Sequence, residues 1–184
     1  MKKKVVAARY AKAFILLAQS AGKVDEYGEE IERFAKVFEE QGEMRRALLS
    51  PIFDRPGRRS AVRKIAGALN LSPAMQSFLQ ILIDKERMVH IPDIFSIYRR
   101  MADEMKGRVR IAIRSAIPLS SDLLAKIREQ MQRTVKKEVI LEVEVLPELI
   151  GGLVAQTNDL VIDGSIRNQI VRLQERLESA LGVA

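Results

Sequence analysis

The pattern of the chain changes at residues 108–114, which read Arg108-Val109-Arg110-Ile111-Ala112-Ile113-Arg114. Apolar residues alternate there with arginine and alanine, and such alternation is typical of a β-strand with one buried face. A second alternating stretch, 141–145, places Glu142 and Glu144 on its polar side. Because the helical pattern of 121–137 lies between the two, we predict a β-α-β unit with parallel strands and a right-handed crossover. If these strands are adjacent, their arginines and glutamates can pair.

The chain after this unit predicts a hairpin and a last helix. Residues 149–156 and 160–163 form the hairpin strands, joined at 157–159. Gly151 and Gly152 interrupt the first strand, which indicates a bulge or a close backbone approach. The turn motif Asp163-Gly164-Ser165 combines a glycine that permits a tight turn, a serine N-cap and an aspartate that supports the same turn. The last helix carries apolar residues at helical spacing and stops at Gly182: Ile166, Ile170, Leu173, Leu177 and Leu181.

The chain before residue 107 has only helical periodicity. Helices are predicted near 4–21, 24–41, 43–49, 57–69, 73–86 and 91–105, separated by glycine and proline turns. Short connections make such helices antiparallel neighbours in a bundle. The predicted fold class is therefore mainly α, with an N-terminal six-helix bundle at 1–105 and a small α+β domain at 106–184.

The composition excludes most catalytic chemistry. The 184 residues contain no cysteine, so thiolate nucleophiles and cysteine-ligated metals are absent. The single histidine, His90, lies in a turn between apolar segments, where it is interpreted as a loop or helix-entry residue. GxGxxG, Walker A and HExxH patterns do not occur. We therefore predict no catalytic residue, no metal site and no cofactor. A separate observation concerns membranes: no apolar run in the sequence approaches the roughly 18 residues needed to cross a bilayer.

The first helix is apolar over more of its circumference than one core contact requires. Four residues on one side suffice for packing into a bundle: Ala7, Ala11, Phe14 and Ala18. A further apolar row runs along one flank at i, i+4, i+7 and i+11: Val6, Tyr10, Ala13 and Leu17. Leu16, by contrast, lies within the polar stripe. The flanking row is a candidate contact for another protein.

The segment 73–86 has a similar surplus, because its apolar residues spread over about 200° around the helix axis. Its members are Ala74, Met75, Phe78, Leu79, Ile81, Leu82 and Ile83. Both helices thus have more apolar surface than packing within the bundle requires. We predict that this extra surface forms a groove that binds an amphipathic helix of a partner. The alternative is that both helices are central in the bundle and covered on all sides.

The formal net charge of +7 raises a second possibility. The densest basic cluster lies at a turn and helix start: Arg55, Arg58, Arg59, Arg63 and Lys64. It could contact phosphates as part of a nucleic-acid-binding adaptor. However, the cluster lacks interleaved aromatic residues and a recognition-helix signature. A solvated face or an acidic protein partner is the simpler interpretation.

Five motifs carry a family resemblance in one order along the whole chain. They are Ala8-Arg9-Tyr10-Ala11-Lys12-Ala13-Phe14, the segment Leu79–Arg87, the segment Val109–Leu119, Ile150-Gly151-Gly152-Leu153-Val154, and Asp159-Leu160-Val161-Ile162-Asp163-Gly164-Ser165-Ile166-Arg167. The sequence resembles the delta subunit of bacterial and chloroplast rotary ATP synthases, the counterpart of the mitochondrial oligomycin-sensitivity-conferring protein.

The resemblance implies a non-catalytic stator subunit that links the catalytic head to the peripheral stalk. In this family the helical domain binds N-terminal segments of alpha subunits between its first and fifth helices, and the C-terminal domain meets the C-terminal ends of b subunits. Carried over by motif and helical row, the groove residues are Val6, Tyr10, Ala13, Leu17, Leu79, Ile81 and Leu82. The resemblance also implies a peripheral location at the cytoplasmic face of the bacterial inner membrane, membrane association only through the complex, and no nucleic-acid partner. Asp163, Gly164, Ser165 and the paired glycines are expected to shape the domain.

Overall fold

A computed structural model describes residues 2–50, 52–157 and 161–180, with side chains for all of these except 2–4 and 175–180. The first part of the chain is helical. Its elements are α1 (Lys2–Ser20), α2 (Val24–Glu40), α3 (Gly42–Leu49), α4 (Arg55–Ala68), α5 (Pro73–Asp84), a 3₁₀ turn (Met88–His90) and α6 (Ile91–Met105). His90 thus lies in the turn that enters α6, as predicted.

The second part contains a four-stranded sheet and two helices among the described residues. Its elements are β1 (Arg108–Ser115), α7 (Ser121–Val135), β2 (Glu138–Val145), a 3₁₀ turn (Pro147–Leu149), β3 (Leu153–Gln156), β4 (Val161–Asp163) and α8 (Ile166–Ala180). The prediction of a mainly helical chain with a small α+β region is confirmed. The chain divides into two compact units, residues 1–102 and 103–184.

The first unit is held together by a core to which every one of its helices contributes. Tyr98, Phe14, Phe34 and Phe38 are among its largest fully enclosed side chains. A polar contact also lies inside it, because the buried Glu30 carboxylate accepts hydrogen bonds from the Ser72 hydroxyl at 2.7 Å and the Ser72 backbone N–H at 3.1 Å. Ser72 in turn caps α5, as predicted, by accepting from the Met75 N–H at 3.2 Å.

Several helix ends differ from the sequence prediction by one or two residues, and two of these differences have a clear physical cause. Helix α4 begins at Arg55 rather than near residue 57, because the Asp54 carboxylate accepts from the Gly57 N–H at 2.9 Å and acts as N-cap. Helix α5 ends at Asp84 rather than near residue 86, because Glu86 takes a left-handed conformation with φ 56°. The helix-terminal carbonyls then accept from the turn that follows.

The sheet has the strand order β2-β1-β3-β4. Strands β1 and β2 pair in parallel from Arg108 opposite Glu138 to Ser115 opposite Val145, so the predicted β-α-β unit is confirmed. Strand β2 begins at Glu138, three residues before the predicted start. The other pairings, β1 with β3 and β3 with β4, are antiparallel.

One face of the sheet packs against α7, and the other carries ion pairs. Ile111, Ile113, Val139 and Ala155 are buried against Ile127, Met131 and Val135 of α7. On the polar face three pairs link β1 and β2: Arg108–Glu138 at 3.2 Å, Arg110–Glu142 at 3.1 Å and Arg114–Glu144 at 3.4 Å. The predicted arginine–glutamate pairing is therefore present. Arg110 also forms an ion pair with Asp103 in the last turn of α6, with 2.6 Å between Nε and the carboxylate oxygen. Asp103 is the first residue of the second unit.

The predicted first hairpin strand is wrong in its extent. Residues 147–149 form a 3₁₀ turn and β3 begins only at Leu153, because Gly152 adopts a positive φ of 80° that breaks the extended conformation. The antiparallel pairing of β3 with β4 is as expected. Leu160 and most of the predicted connection, together with Leu181 and Gly182, lie outside the described residues, as does the side chain of Leu177.

Candidate docking groove on the first and fifth helices

An aromatic cluster joins α1 to α5. The ring of Phe14 on α1 stacks on that of Phe78 on α5, with centroids 4.3 Å apart. The same ring lies 5.5 Å from Tyr27 of α2 and 5.5 Å from Tyr98 of α6. Stacked aromatic pairs stabilise beyond the area they bury. Helices α1 and α5 are therefore direct neighbours, held at a spacing set by two aromatic rings.

The core face of α1 is the predicted one, since Ala7, Ala11, Phe14 and Ala18 are all buried. The flanking row of Val6, Tyr10, Ala13 and Leu17, here called the α1 row, is not enclosed. Val6 and Tyr10 are partly buried, Ala13 is exposed, and Leu17 leaves 46% of its surface open. The alternative that α1 is covered on all sides by its own bundle is therefore wrong for the described structure.

Helix α6 lies along the opposite flank of α1. Val5 and Ala8 line an open cleft of about 350 Å³ with Asp93, Ser96, Ile97 and Arg100 of α6. At 100° per residue, Ala8 lies on the far side of the core face from Tyr10 and Leu17. The α1 row therefore faces away from the flank that α6 borders.

On α5 the exposed margin is narrower than predicted. Ile81 leaves 48% of its surface exposed to solvent, whereas Leu79 and Leu82 are fully buried. The prediction that Leu79 and Leu82 line a groove is corrected, because both project with Met75 and Ile83 into the core of the bundle. Only Ile81 of the three predicted α5 residues is accessible to a partner.

Two further α5 residues complete this margin. Ala74 is partly exposed and Phe78 is buried just beneath the surface, against Phe14. They stand at i and i+4 of a helical row that reaches Ile81 at i+7. The spacing was visible in the sequence, but the broad apolar arc of α5 gave no sign of where core ends and margin begins. The residues left open for a partner are thus the α1 row on one helix and Ile81 with Ala74 on the other, and the Phe14–Phe78 stack joins the two helices. We call these residues the candidate groove.

In the second unit the paired glycines approach the turn before α8. A Cβ on Gly152 would overlap the carbonyl oxygen of Gly164, and one on Gly151 would overlap the side chain of Ile166. Hydrogen bonds cross this contact, from the Gly164 N–H to the Leu153 carbonyl and from the Ile166 N–H to the Gly151 carbonyl, each at 3.0 Å. Close packing of two backbone segments, rather than phosphate binding, explains these glycines.

Asp163 and Ser165 organise the same turn. The Ser165 hydroxyl accepts from the Asn168 N–H at 3.2 Å, which caps α8. The Asp163 carboxylate accepts from the Ser165 N–H at 2.9 Å, and hydrogen bonds from the Ser165 hydroxyl and backbone lower the pKa of Asp163. These groups satisfy one another and define where α8 begins.

Helix α8 presents a second apolar surface. Ile166, Ile170 and Leu173 recur at spacings of four and three, and all three are exposed. Val171 beside them is exposed as well. An amphipathic helix with its apolar side open is typical of a protein-binding surface.

Two arginines of the basic cluster of α4 pair with acidic side chains of the same chain. Arg59 forms a two-point ion pair with Asp84, which lowers the pKa of that carboxyl, and Arg55 lies 3.6 Å from Glu86. Arg55, Arg59 and Asp84 line an open cleft of about 510 Å³ with Pro56, Arg63 and Lys85. The described residues contain no group of acidic and histidine side chains suited to a metal ion, and none of their helices is long and apolar enough to cross a membrane.

The model of the family described as ATP synthase delta (OSCP) subunit matches residues 6–177. The chain belongs to this family. It is 39% identical over 183 residues to the ATP synthase subunit delta of Desulfatibacillum aliphaticivorans, covering 100% of both chains. It is 33% identical over 183 residues to the protein of the same name from Syntrophobacter fumaroxidans, covering 99% of this chain and 100% of the relative.

A solved structure supports the fold. A chain of the Toxoplasma gondii mitochondrial ATP synthase hexamer matches with a TM-score of 0.66 at 16% identity, covering 93% of this chain and 96% of that one. Family membership identifies the chain as a stator component of the F-type ATP synthase and as a structural, non-catalytic subunit. Neither the family nor these relatives favour the nucleic-acid-binding alternative.

Proposed function

We propose that this protein links the catalytic head of the ATP synthase to the b subunits of the peripheral stalk. Residues 1–105 act as a six-helix bundle that binds the head, and residues 106–184 bind the stalk. An N-terminal helix of an alpha subunit occupies the groove between α1 and α5. The complex holds the protein at the cytoplasmic face of the bacterial inner membrane, and the chain itself contacts no lipid.

The observation that carries the head contact is the open apolar flank of α1. Leu17 and Ile81 each expose nearly half of their surface beside the buried Phe14–Phe78 stack. An amphipathic helix fits such a surface, because its apolar stripe covers both walls while its polar side stays in water. Apolar burial stabilises by roughly 25 cal/mol per Å², so a few such side chains supply several kcal/mol before the costs of association.

The groove is also preorganised for binding. Phe14 is enclosed by three aromatic neighbours, and Ser72 with Glu30 ties the start of α5 to α2. A rigid groove does not lose conformational freedom when the partner helix arrives. Less of the interaction free energy is therefore spent on ordering the bundle.

The stalk contact is assigned to α8. Its exposed residues Ile166, Ile170 and Leu173 form an apolar stripe that suits the helical end of a b subunit. The close approach of Gly152 to the turn of Gly164 and Ser165 fixes where this helix starts. A separate surface for each partner gives one chain two attachments.

The mechanism is mechanical. Torque from the rotor acts on the head, and a static link must prevent the head from turning with the rotor. Such a link requires slow dissociation, and a nanomolar contact corresponds to about 12 kcal/mol. Two attachments on one chain raise the effective concentration of each partner. Neither contact alone therefore needs to supply the whole affinity of the link.

A crossed binding experiment tests the division of labour. The full chain, the Ala13→Asp variant and the Ile170→Asp variant are each captured with isolated catalytic head and, separately, with peptides from the C-terminal ends of b subunits. We expect Ala13→Asp to lose the head and keep the stalk, and Ile170→Asp to do the reverse. If both variants keep both partners, or if each loses both while remaining folded, the assignment of the two surfaces is wrong.

A further inference from the structure

Ile81, the exposed isoleucine of α5, lies one helical turn before a basic cleft. The two α5 residues that line this cleft, Asp84 and Lys85, follow Ile81 by three and four positions. At 100° per residue they project about 60° to one side of Ile81 and about 40° to the other. The Lys85 N–H donates to the Ile81 carbonyl at 3.0 Å, so the helical geometry continues as far as Lys85. The open margin of α5 therefore leads along the helix axis into the cleft.

The lining of this cleft is strongly positive. Arg55, Arg59 and Arg63 recur every four residues of α4, which places them on one side of that helix. Lys85 adds a fourth cation to the lining, and Asp84 is its only acidic residue. A cleft lined mainly by one sign of charge concentrates the electric field and attracts groups of the opposite sign. The cleft thus suits an anionic group.

Two of the four cations are available to such a group. The carboxylate of Asp84 is engaged by Arg59 through two hydrogen bonds. Arg63 and Lys85 are both exposed, and neither side chain forms an ion pair or a hydrogen bond with a described residue. An incoming carboxylate therefore needs to displace no existing pair in order to reach them.

The position of the cleft favours a protein segment as the source of that carboxylate. A helix that covers Ile81 and runs along α5 reaches the cleft within one further turn, because both helices rise 1.5 Å per residue. Residues three and four positions apart share one side of a helix. A side chain at that spacing beyond the one that covers Ile81 therefore lies over Lys85. An acidic side chain there complements the charge of the cleft, whereas an apolar one leaves the cations unpaired.

We propose that the helix bound in the candidate groove carries glutamate or aspartate three or four residues beyond the apolar side chain that covers Ile81, and that these carboxylates pair with Lys85 and Arg63. This pairing rests on the proposed head contact and specifies the chemistry of the segment that makes it. Ion pairs at the rim of an interface contribute little to affinity, but they accelerate association and fix the register of the partner. The apolar groove supplies the affinity, and the cleft determines which end of the bound helix lies at the end of α5.

Association rates of the full chain with a peptide from the N-terminal end of an alpha subunit test the pairing. We expect Lys85→Glu and Arg63→Glu each to slow association about fivefold at an ionic strength of about 0.15 M, where charges more than about 8 Å away are largely screened. Lys64→Glu is the matched control, because Lys64 is the exposed neighbour of Arg63 on α4 but does not line the cleft. It is expected to slow association by about twofold or less. Equal slowing by Arg63→Glu and Lys64→Glu would mean diffuse attraction and would overturn the proposal.

A charge swap identifies the residue that pairs with Lys85. Each acidic residue of the peptide is changed in turn to lysine, and every peptide is titrated by calorimetry against the unaltered chain and against Lys85→Glu. We expect one change to weaken binding to the unaltered chain about fivefold and to restore binding to Lys85→Glu to within about twofold of the original pair. If no change restores binding, the pairing is overturned. A mixed-sequence oligonucleotide that binds more tightly than the peptide, with the same dependence on Arg63 and Lys85, would assign the cleft to phosphates and would also overturn it.

The groove variant Leu17→Asp separates this pairing from the head contact itself. If Leu17→Asp loses the peptide while Lys85→Glu and Arg63→Glu associate as the unaltered chain does, the groove stands and the pairing is overturned. If all three variants behave as the unaltered chain does, the proposed head contact is overturned and the pairing with it. All three substitutions are at exposed positions, so each variant is expected to remain folded, which circular dichroism verifies.

Discussion

Phe14 on α1 and Phe78 on α5 stack with their ring centroids 4.3 Å apart, and this contact forms the base of the groove assigned to the head. Both rings are buried, and Phe14 touches Tyr27 and Tyr98 as well. The spacing of the two groove walls is therefore set by the core of the bundle. A substitution in the core that moves these two rings is therefore expected to alter the groove as well.

Shortening Phe14 tests how much the aromatic cluster contributes to stability. Phe14→Leu loses three ring contacts and part of the buried volume, so we expect the free energy of unfolding to fall by about 2 kcal/mol. The matched control is Phe53→Leu, at an exposed ring, for which a change within about 0.5 kcal/mol is expected. Urea denaturation measures both. Equal effects of the two substitutions would contradict the assigned core.

The approach of Gly152 to Gly164 leads to a second prediction. Gly152 has φ 80°, and an added Cβ would overlap the Gly164 carbonyl, so Gly152→Ala is expected to destabilise the second unit by about 2 kcal/mol or more. Gly67→Ala is the control, because Gly67 lies in α4 with no atom within 4 Å of an added Cβ. Alanine there is expected to stabilise by about 0.5–1 kcal/mol. The melting temperatures of the two variants should therefore shift in opposite directions, downward for Gly152→Ala and upward for Gly67→Ala.

The start of α5 is held more tightly than that of α7. Ser72 caps α5 and also donates to the buried Glu30, whereas the Ser120 hydroxyl accepts only from the Leu123 N–H, at 3.3 Å, among the hydrogen bonds described for it. We expect Ser72→Ala to cost about 2 kcal/mol and Ser120→Ala about 1 kcal/mol. Chemical denaturation gives both values. A smaller loss for Ser72→Ala would mean that Glu30 finds another donor.

Tyr98 is expected to make the free energy of unfolding depend on pH in the alkaline range. Its hydroxyl donates to the Val24 carbonyl at 2.8 Å inside the core, and burial raises the pKa of Tyr98 above its ordinary value of 10.0. The contribution of the neutral phenol is thus complete below about pH 10 and decreases above it, because the unfolded chain loses this proton first. The expected slope is about 1.4 kcal/mol per pH unit.

Comparison of variants isolates this effect from the other groups that titrate at high pH. Tyr98→Phe is expected to lower stability by about 1 kcal/mol at neutral pH, through loss of the hydrogen bond, and to have a shallower decline above pH 10. Tyr10→Phe, at a partly exposed ring, serves as control. The assignment fails if the Tyr98→Phe variant retains the full alkaline slope.

Local patterns predicted most of the elements. The alternation of 108–114 was enough to place β1, and Ser72 and Ser120 marked the starts of α5 and α7. The start of β2 was missed because Val139, Ile140 and Leu141 are consecutively apolar and break the alternation. Period alone cannot identify a strand whose pattern is interrupted in this way.

The groove was only partly predictable. Helical angles placed the α1 row correctly outside the core face, because α1 has a distinct polar stripe. On α5 the apolar arc is so broad that angles alone could not separate Ile81, which is open, from Leu79 and Leu82, which are enclosed. Which part of such an arc is buried depends on the neighbouring helices, and the Phe14–Phe78 contact that decides it is set by tertiary packing.

The most direct test compares two adjacent leucines of α1. Leu17 belongs to the α1 row and Leu16 to the polar stripe, yet they expose 46% and 54% of their surfaces. Calorimetric titration of the full chain with a peptide from the N-terminal end of an alpha subunit is predicted to show at least about tenfold weaker binding for Leu17→Asp, because a charge is buried without a partner. Leu16→Asp should stay within about twofold of the unaltered chain. Equal affinities for the two folded variants would contradict the assigned groove.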